Sequence, residues 1–416
     1  HPCELDQKKV LDGWGIEEFL KGKITSTKDE VVKSFQSLKL PKLDPFSLGI
    51  IILGPWRGKV KQLNSFRGAL KQWQKLTGWP ILADPLSGVE NDQEGLINHW
   101  DLFFSIGLFE KIKEIQVLRL GPIPPSRELQ TWLKKPGKFQ LLITEGDCRN
   151  LDPIGGSTQF SEGFSCWVDK MLECIPVKPA IDKKIVSQKL TKELIKYDLF
   201  IHDWLDKRLF RNGLITEPAL ARLLPRLLPD SIPVMIASSS PIRDWLSYSG
   251  EGAFLRRCFG FRGASGIDGT LSMGMGLSII MGRMVLVTGD LALLHDTNGW
   301  LFSKDKNISL IVIMIDNGGG GIFNQLNIDR IEEGDFEEIF LMPQQVCHLT
   351  LAKAYGLKYR QVACLDDLEQ AIEWSFSLST NVLIRVCTNS FEDHRLRVNL
   401  SDDLKKTLSE NLSSFD

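Results

Sequence analysis

Short apolar runs alternate with amphipathic stretches along most of this chain. LGIIILGPWRG is an apolar run stopped by Gly-Pro, and the next segment places Val60, Leu63, Phe66, Leu70, Trp73 and Leu76 at helical spacing. WPILAD, IQVLRLGPIPPSRELQTWLKK and FQLLITEGD repeat the pattern of strand, turn, helix and strand. That alternation predicts a parallel α/β sheet over residues 45–153. Residues 1–44 are polar, helix-compatible and end in the proline-bearing KLPKLDPFSL, which reads as a linker. Residues 154–230 are amphipathic and charged, with helices expected at Lys184–Arg208 and Glu217–Leu227. A second α/β unit is expected over 231–416, with strands in VMIASSS, MVLVTGD, NISLIVIMIDN, GLKYRQV and NVLIRVCTN. Helices are expected in LSMGMGLSIIMG and LEQAIEWSF. The fold class is therefore α/β, with two parallel-sheet domains whose apolar strands are covered on both faces.

Composition narrows the function classes. The chain has 416 residues, 50 Lys+Arg against 52 Asp+Glu and a formal net charge of -2. This balance gives no general attraction to nucleic acid or an anionic membrane. The eight cysteines form no C-x-x-C pair and have no zinc-like spacing with histidine. They read as thiols of a reducing compartment, so a cytoplasmic protein is expected. The run Ile308–Ile315 is far too short to span a bilayer.

Chemistry concentrates at two strand ends. MVLVTGD and ISLIVIMIDN deliver Asp290 and Asn317 to the carboxyl edge of a parallel sheet, where ligands collect. A carboxylate, an amide oxygen and glycine carbonyls are hard oxygen donors suited to Mg²⁺ and a phosphate. Gly318–Gly321 would let backbone approach such a ligand with no Cβ in the way. Taken singly, a strand-end Asp or Asn also serves as a helix cap; the pair on consecutive strands points to a metal-phosphate site. G-x-x-x-x-G-K-[ST] is absent, and the glycines of GMGLSIIMG lie inside a predicted helix, which argues against P-loop and simple Rossmann enzymes. His295 has no spacing that makes it a base and reads as a packed or surface side chain.

Gly-Asp followed by an Asn-Gly-rich turn resembles the diphosphate motif of thiamin-diphosphate enzymes. With SSSPIR, RGASGIDG, GDLALLHDTN and DNGGGGIF, the sequence resembles the 2-succinyl-5-enolpyruvyl-6-hydroxy-3-cyclohexene-1-carboxylate synthase (MenD) family of menaquinone and phylloquinone biosynthesis. The likeness is strong over 233–325 and weaker over 45–153, where LDP at 151–153 also fits. It implies a transferase that decarboxylates 2-oxoglutarate on thiamin diphosphate and adds the acyl-anion equivalent to isochorismate. It also implies that Asp290, Asn317 and the Gly319 carbonyl hold Mg²⁺ or Mn²⁺ on the diphosphate, with Leu291 beside them. Ile267 would prop the cofactor. Ser239, Arg243 and Arg262 would face substrates, and Ile322 and Phe323 would form an apolar wall. Both substrates are dicarboxylates, which suits paired guanidiniums. Arg127, after GPIPPS, is a further candidate anion contact, although Pro-Pro-Ser-Arg equally marks a helix start.

The pattern also departs from the family. Leu291 stands at the second position of the usual Gly-Asp-Gly, and Asp316, Gly318 and Gly321 stand where amides are common. Family members carry a pyrimidine-binding domain, with the activating glutamate, ahead of the region seen here. The chain opens at His1 and aligns behind that domain, so the expectation is a homodimer or dimer of dimers whose isolated chain has little turnover and no catalytic acid of its own. Two alternatives stay open at this point: another thiamin-diphosphate lyase, such as an acetohydroxyacid synthase relative, or a non-catalytic cofactor-binding module.

Overall fold

The computed structural model describes residues 40–175, 181–210, 213–261, 266–325 and 333–412. Arg262 lies outside the described residues, as does most of the expected linker. Two six-stranded sheets carry the fold, in the orders β3-β2-β1-β4-β5-β6 and β11-β12-β10-β9-β7-β8. All strand pairs within them are parallel.

In the first sheet, β1 (Gly49–Leu53), β2 (Ile81–Ala83), β4 (Ile115–Leu120) and β5 (Lys138–Ile143) are the apolar runs legible in sequence. Short edge strands β3 (Leu96–Ile97) and β6 (Ser157–Phe160) complete it. Helix Leu63–Thr77 buries Phe66, Leu70 and Trp73 and ends at Gly78, whose φ of 67° closes the helix in a left-handed turn. Val60 departs from the expected helical stripe: it belongs to a preceding 3-10 turn and is 72% exposed.

The first sheet continues past Pro153 through β6 to Phe160. Asp152 explains the extension. Its carboxylate accepts the N–H groups of Ile154 at 3.2 Å, Gly156 at 2.9 Å and Ser157 at 2.9 Å, which folds the chain back into β6. Arg119, buried on β4, donates to the same carboxylate at 2.8 Å. Burial opposes the charge of Asp152, but Arg119, the Ser157 hydroxyl and the Ile154 N–H hold its pKa down at about 2. Asp152→Ala leaves Arg119 buried without its partner. It should cost about 3–5 kcal/mol, read as a lower urea midpoint. Beyond β6, helix Phe164–Cys174 packs back on helix Leu63–Thr77, with Trp73 and Trp167 at 4.7 Å between ring centroids. The segment expected as a helical connection therefore begins as part of the first layer.

Helices Ile181–Leu209 and Glu217–Leu227 lead to the second sheet. Its core is β9 (Met284–Gly289) and β10 (Leu310–Asp316), flanked by β7 (Val234–Ile236) and β12 (Val382–Cys387). β8 (Cys258–Phe259) and the polar β11 (Lys358–Val362) form its edges. Val, Ile, Leu and Met dominate the central strands because both of their faces are covered. No helix among the described residues is long and apolar enough to cross a membrane.

Candidate functional site

β9 and β10 are adjacent, with Gly289 opposite Ile315, so their carboxyl ends emerge side by side. Asp290 begins helix Asp290–His295 and Asn317 follows Asp316, the last residue of β10. The expected pair of strand-end groups is thus brought to one edge.

Asp290 is buried, and its Oδ1 accepts the Leu291 N–H at 2.8 Å. Burial raises its pKa to about 7; the Leu291 and Gly319 N–H groups oppose the rise and the charge of Asp316 adds to it. Asp316 is itself gripped by Arg385 of β12, whose Nε donates at 2.6 Å. Asn317 donates through Nδ2 to Glu217 Oε1, while its Oδ1 is buried with no hydrogen-bond partner among the described residues. A buried carboxylate that burial drives toward neutrality and a buried amide oxygen without a donor together fit a cation. The Gly319 carbonyl accepts the Gly321 N–H at 2.9 Å and keeps a second lone pair. These oxygen donors suit a divalent cation, although among the described residues no group of three or more His, Cys, Asp or Glu could hold one.

The glycines serve differently from the sequence expectation. Only Gly318 has open space where a Cβ would be. A Cβ on Gly319, at φ 123°, would meet the Leu341 carbonyl at 2.0 Å, and one on Gly320 would meet the Phe340 carbonyl at 2.1 Å. One on Gly321 would lie 2.7 Å from Asn317 Nδ2. Three of the four bare positions are therefore demanded by packing against the turn Glu337–Leu341 and against Asn317, and one is left for a ligand.

The other expected site residues lie on separate segments. Ser239, after β7, has φ 79° and ψ -141°, a strained backbone of the kind that clusters at ligand sites. Its carbonyl accepts from Arg243 Nη1 at 2.7 Å, so these two are brought together. Ile322 and Phe323 lie in the 3-10 turn Gly321–Gln325, with Phe323 against Phe340 at 5.4 Å between centroids. Ile267 is 40% exposed. Leu291 is half-buried, and His295 is exposed at the end of its helix. Arg127 is exposed on the first residue of helix Arg127–Leu133, where Ser126 caps the Leu129 N–H at 3.1 Å; the helix-start reading holds for this segment.

Sequence reasoning missed a buried charged group behind Asn317. Glu217 Oε2 accepts from Arg397 Nη2, and Arg397 also donates to Asp244 at 2.9 Å through Nε and 2.5 Å through Nη2. Asp393 accepts the Glu217 N–H at 2.9 Å. Burial raises Asp244 to about 6 and Asp393 to about 7, Arg397 opposing both, while Arg397 itself is pushed well above its ordinary value by Asp244 and Glu217 against the effect of burial. Three helices contribute these residues. Only the Asp393–Arg397 spacing of four, one turn of a single helix, leaves a trace in the sequence.

Residues 242–386 match the thiamine pyrophosphate enzyme C-terminal TPP binding domain, a stretch that holds Asp290, Asn317 and Gly319. Proteins of Prochlorococcus marinus strains NATL1A and NATL2A, each named 2-succinyl-5-enolpyruvyl-6-hydroxy-3-cyclohexene-1-carboxylate synthase, are each 96% identical over all 416 residues. The chain spans 70% of the length of each. A protein of the same name from strain MIT 9313 is 50% identical over 87% of the chain and 62% of its own length. An X-ray structure from Mycobacterium smegmatis, assigned to a thiamin diphosphate-dependent enzyme, shares the fold with a TM-score of 0.52 at 15% identity, over 82% of this chain and 61% of that one. The relatives decide against the acetohydroxyacid synthase alternative, and the chain belongs to the 2-succinyl-5-enolpyruvyl-6-hydroxy-3-cyclohexene-1-carboxylate synthase family of thiamin-diphosphate enzymes.

Proposed function

We propose that the second sheet anchors thiamin diphosphate through a divalent cation, Mg²⁺ or Mn²⁺, held by Asp290, Asn317 Oδ1 and the Gly319 carbonyl. The observation that carries this reading is the buried, partnerless Asn317 Oδ1 next in sequence to a glycine turn and level with the buried Asp290. Gly318 leaves its backbone open to a phosphate, and Leu291 lines the same edge. When bound, thiamin diphosphate supplies an electron sink for decarboxylating a 2-oxoacid and forming a carbon–carbon bond. The protein's part is to bind, orient and exclude water. Ile267 supports the cofactor, and Ile322 and Phe323 wall the reacting region.

The substrates in this reading are 2-oxoglutarate and isochorismate, joined on the path to menaquinone or phylloquinone. Both carry two carboxylates, and this reading assigns Arg243 and Arg262 to them, with Ser239 beside Arg243. A charge-assisted bond to a carboxylate is worth about 1.5–3 kcal/mol. Arg243→Met should therefore weaken 2-oxoglutarate binding to the cofactor-loaded chain by about 10–100-fold, with thiamin diphosphate affinity unchanged. Calorimetric titration measures both. Equal affinity for pyruvate and 2-oxoglutarate in the unmutated chain would remove the dicarboxylate reading.

The working unit in this reading is a homodimer in the cytoplasm. Helix Thr270–Met281 is apolar on all sides, yet Met273 is 47%, Ile279 54% and Ile280 81% exposed, with Leu301 at 70% and Phe302 at 61% in the turn Thr297–Phe302 that contacts it. A helix of that composition is normally covered. The seven described cysteines are all free, as a reducing compartment keeps them.

A further inference from the structure

We infer that Glu217 is the positioning residue that decides which face of the Asn317 amide meets the cation, an inference that rests on the ligand set proposed above. An amide oxygen and its NH₂ group have nearly the same size and shape. Half a turn of the side chain exchanges acceptor for donor while the packing stays the same. A cation accepts only the oxygen, so something must hold the amide in one sense.

Glu217 does this because an ionised carboxylate only accepts hydrogen bonds. Its Oε1 takes Asn317 Nδ2, leaving Oδ1 as the buried group without a partner. Glu217 is itself held at its carboxylate by one arginine and at its backbone by one aspartate. Arg397 donates to Oε2, Asp244 holds Arg397 at 2.9 and 2.5 Å, and Asp393 takes the Glu217 N–H at 2.9 Å. Thr216 caps the helix that Glu217 begins, accepting the Ala219 N–H at 3.2 Å. Gly321 completes the clamp, because any Cβ there would press within 2.7 Å of Nδ2. The metal-facing oxygen is thus set by residues on helices Glu217–Leu227, Ser240–Tyr248 and Ser390–Leu412, none of which supplies a proposed ligand.

The test is calorimetric titration of the 416-residue chain with Mg²⁺ and thiamin diphosphate, alongside four variants. Glu217→Gln keeps the volume but offers Asn317 a donor as well as an acceptor, so the amide is free to turn. Affinity should fall about 10–100-fold, the usual effect of losing a group that orients a metal ligand. Asn317→Asp alone sets two carboxylates against each other and should fall by at least about 10-fold. The double variant Glu217→Gln/Asn317→Asp should recover to within about threefold of the unmutated chain. There the glutamine NH₂ donates to one aspartate oxygen and the other faces the cation, so no orientation is needed.

A double variant as weak as the weaker single one, or a Glu217→Gln chain that binds normally while Asp290→Ala does not, overturns the inference. If Asp290→Ala binds normally, or the unmutated chain shows no heat at millimolar cofactor, the ligand assignment itself fails. Thermal midpoints without cofactor separate folding from binding. Should Glu217→Gln not fold, the unmutated chain crystallised with Mn²⁺ and thiamin diphosphate decides: Asn317 Oδ1 on the ion with Nδ2 on Glu217 supports the inference, and an amide turned with its nitrogen to the ion overturns it.

Discussion

Asp290→Ala is expected to remove magnesium-dependent binding of thiamin diphosphate and, above neutral pH, to make the empty chain more stable. Residues that merely orient a ligand cost 10–100-fold when lost, so losing the only carboxylate of the proposed set should cost at least about 100-fold in affinity. The stability effect follows from the same burial. The folded-state pKa of Asp290 is raised to about 7, whereas an unfolded carboxyl titrates near 3.9. With the folded value above the unfolded one, the native protein binds the extra proton, and stability is lost as pH rises between the two. At pH 8 the empty site holds a buried charge with no counter-ion, and alanine relieves it. Against this, the Leu291 N–H loses its acceptor, worth about 1 kcal/mol. That opposing effect dominates near pH 5, where the native carboxyl is already neutral. The melting difference between variant and unmutated chain should therefore change sign from negative near pH 5 to positive at pH 8. A difference flat with pH would show that Asp290 is not strained by burial.

The second large effect is expected at Arg397, which touches no proposed ligand itself and reaches Asn317 through Glu217. Arg397→Leu removes the one cation among Glu217, Asp244 and Asp393. Breaking a buried ion pair from one side costs about 3–5 kcal/mol, because the opposite charges stay behind. Asp244 and Asp393 are already raised to about 6 and about 7, and without Arg397 both should climb further. By the same linkage the variant should lose most stability at pH 8 and recover part of it near pH 5, where protonation replaces the missing guanidinium. Tyr248, raised by burial and by Asp244, and His394, lowered by burial and by Arg397, are the other titrating groups near Arg397. Urea midpoints at the two pH values measure the effect; equal losses at both would mean that packing of the arginine stem dominates.

How far these features could be read from sequence depended on how local their causes are. Strands such as IIIL in β1 and LIVIMI in β10 announce themselves, because burial on both faces demands unbroken apolar residues. The edge strands LI of β3, STQF of β6 and CF of β8 carry no such signature and exist because a neighbour pairs with them. β6 further depends on Asp152 gathering three N–H groups, an effect of the folded chain that no local pattern announces. In the site, Asp290 and Asn317 were legible because strand ends of a parallel sheet are where ligands gather. The glycines after Asn317 were legible as a special turn but not in purpose, since the Leu341 and Phe340 carbonyls that require them arrive from a later segment. Glu217, Asp244, Asp393 and Arg397 gave no joint signal, as three separate helices deliver them to one point.

The most direct test of the ligand assignment is an anomalous-scattering map from crystals of this chain grown with Mn²⁺ and thiamin diphosphate. The account predicts one peak about 2.0–2.3 Å from an Asp290 carboxylate oxygen, Asn317 Oδ1 and the Gly319 carbonyl oxygen together, with Asn317 Nδ2 still on Glu217. A peak coordinated by Asp316 in place of Asn317, or an Asn317 amide turned so that its nitrogen faces the ion, would contradict it.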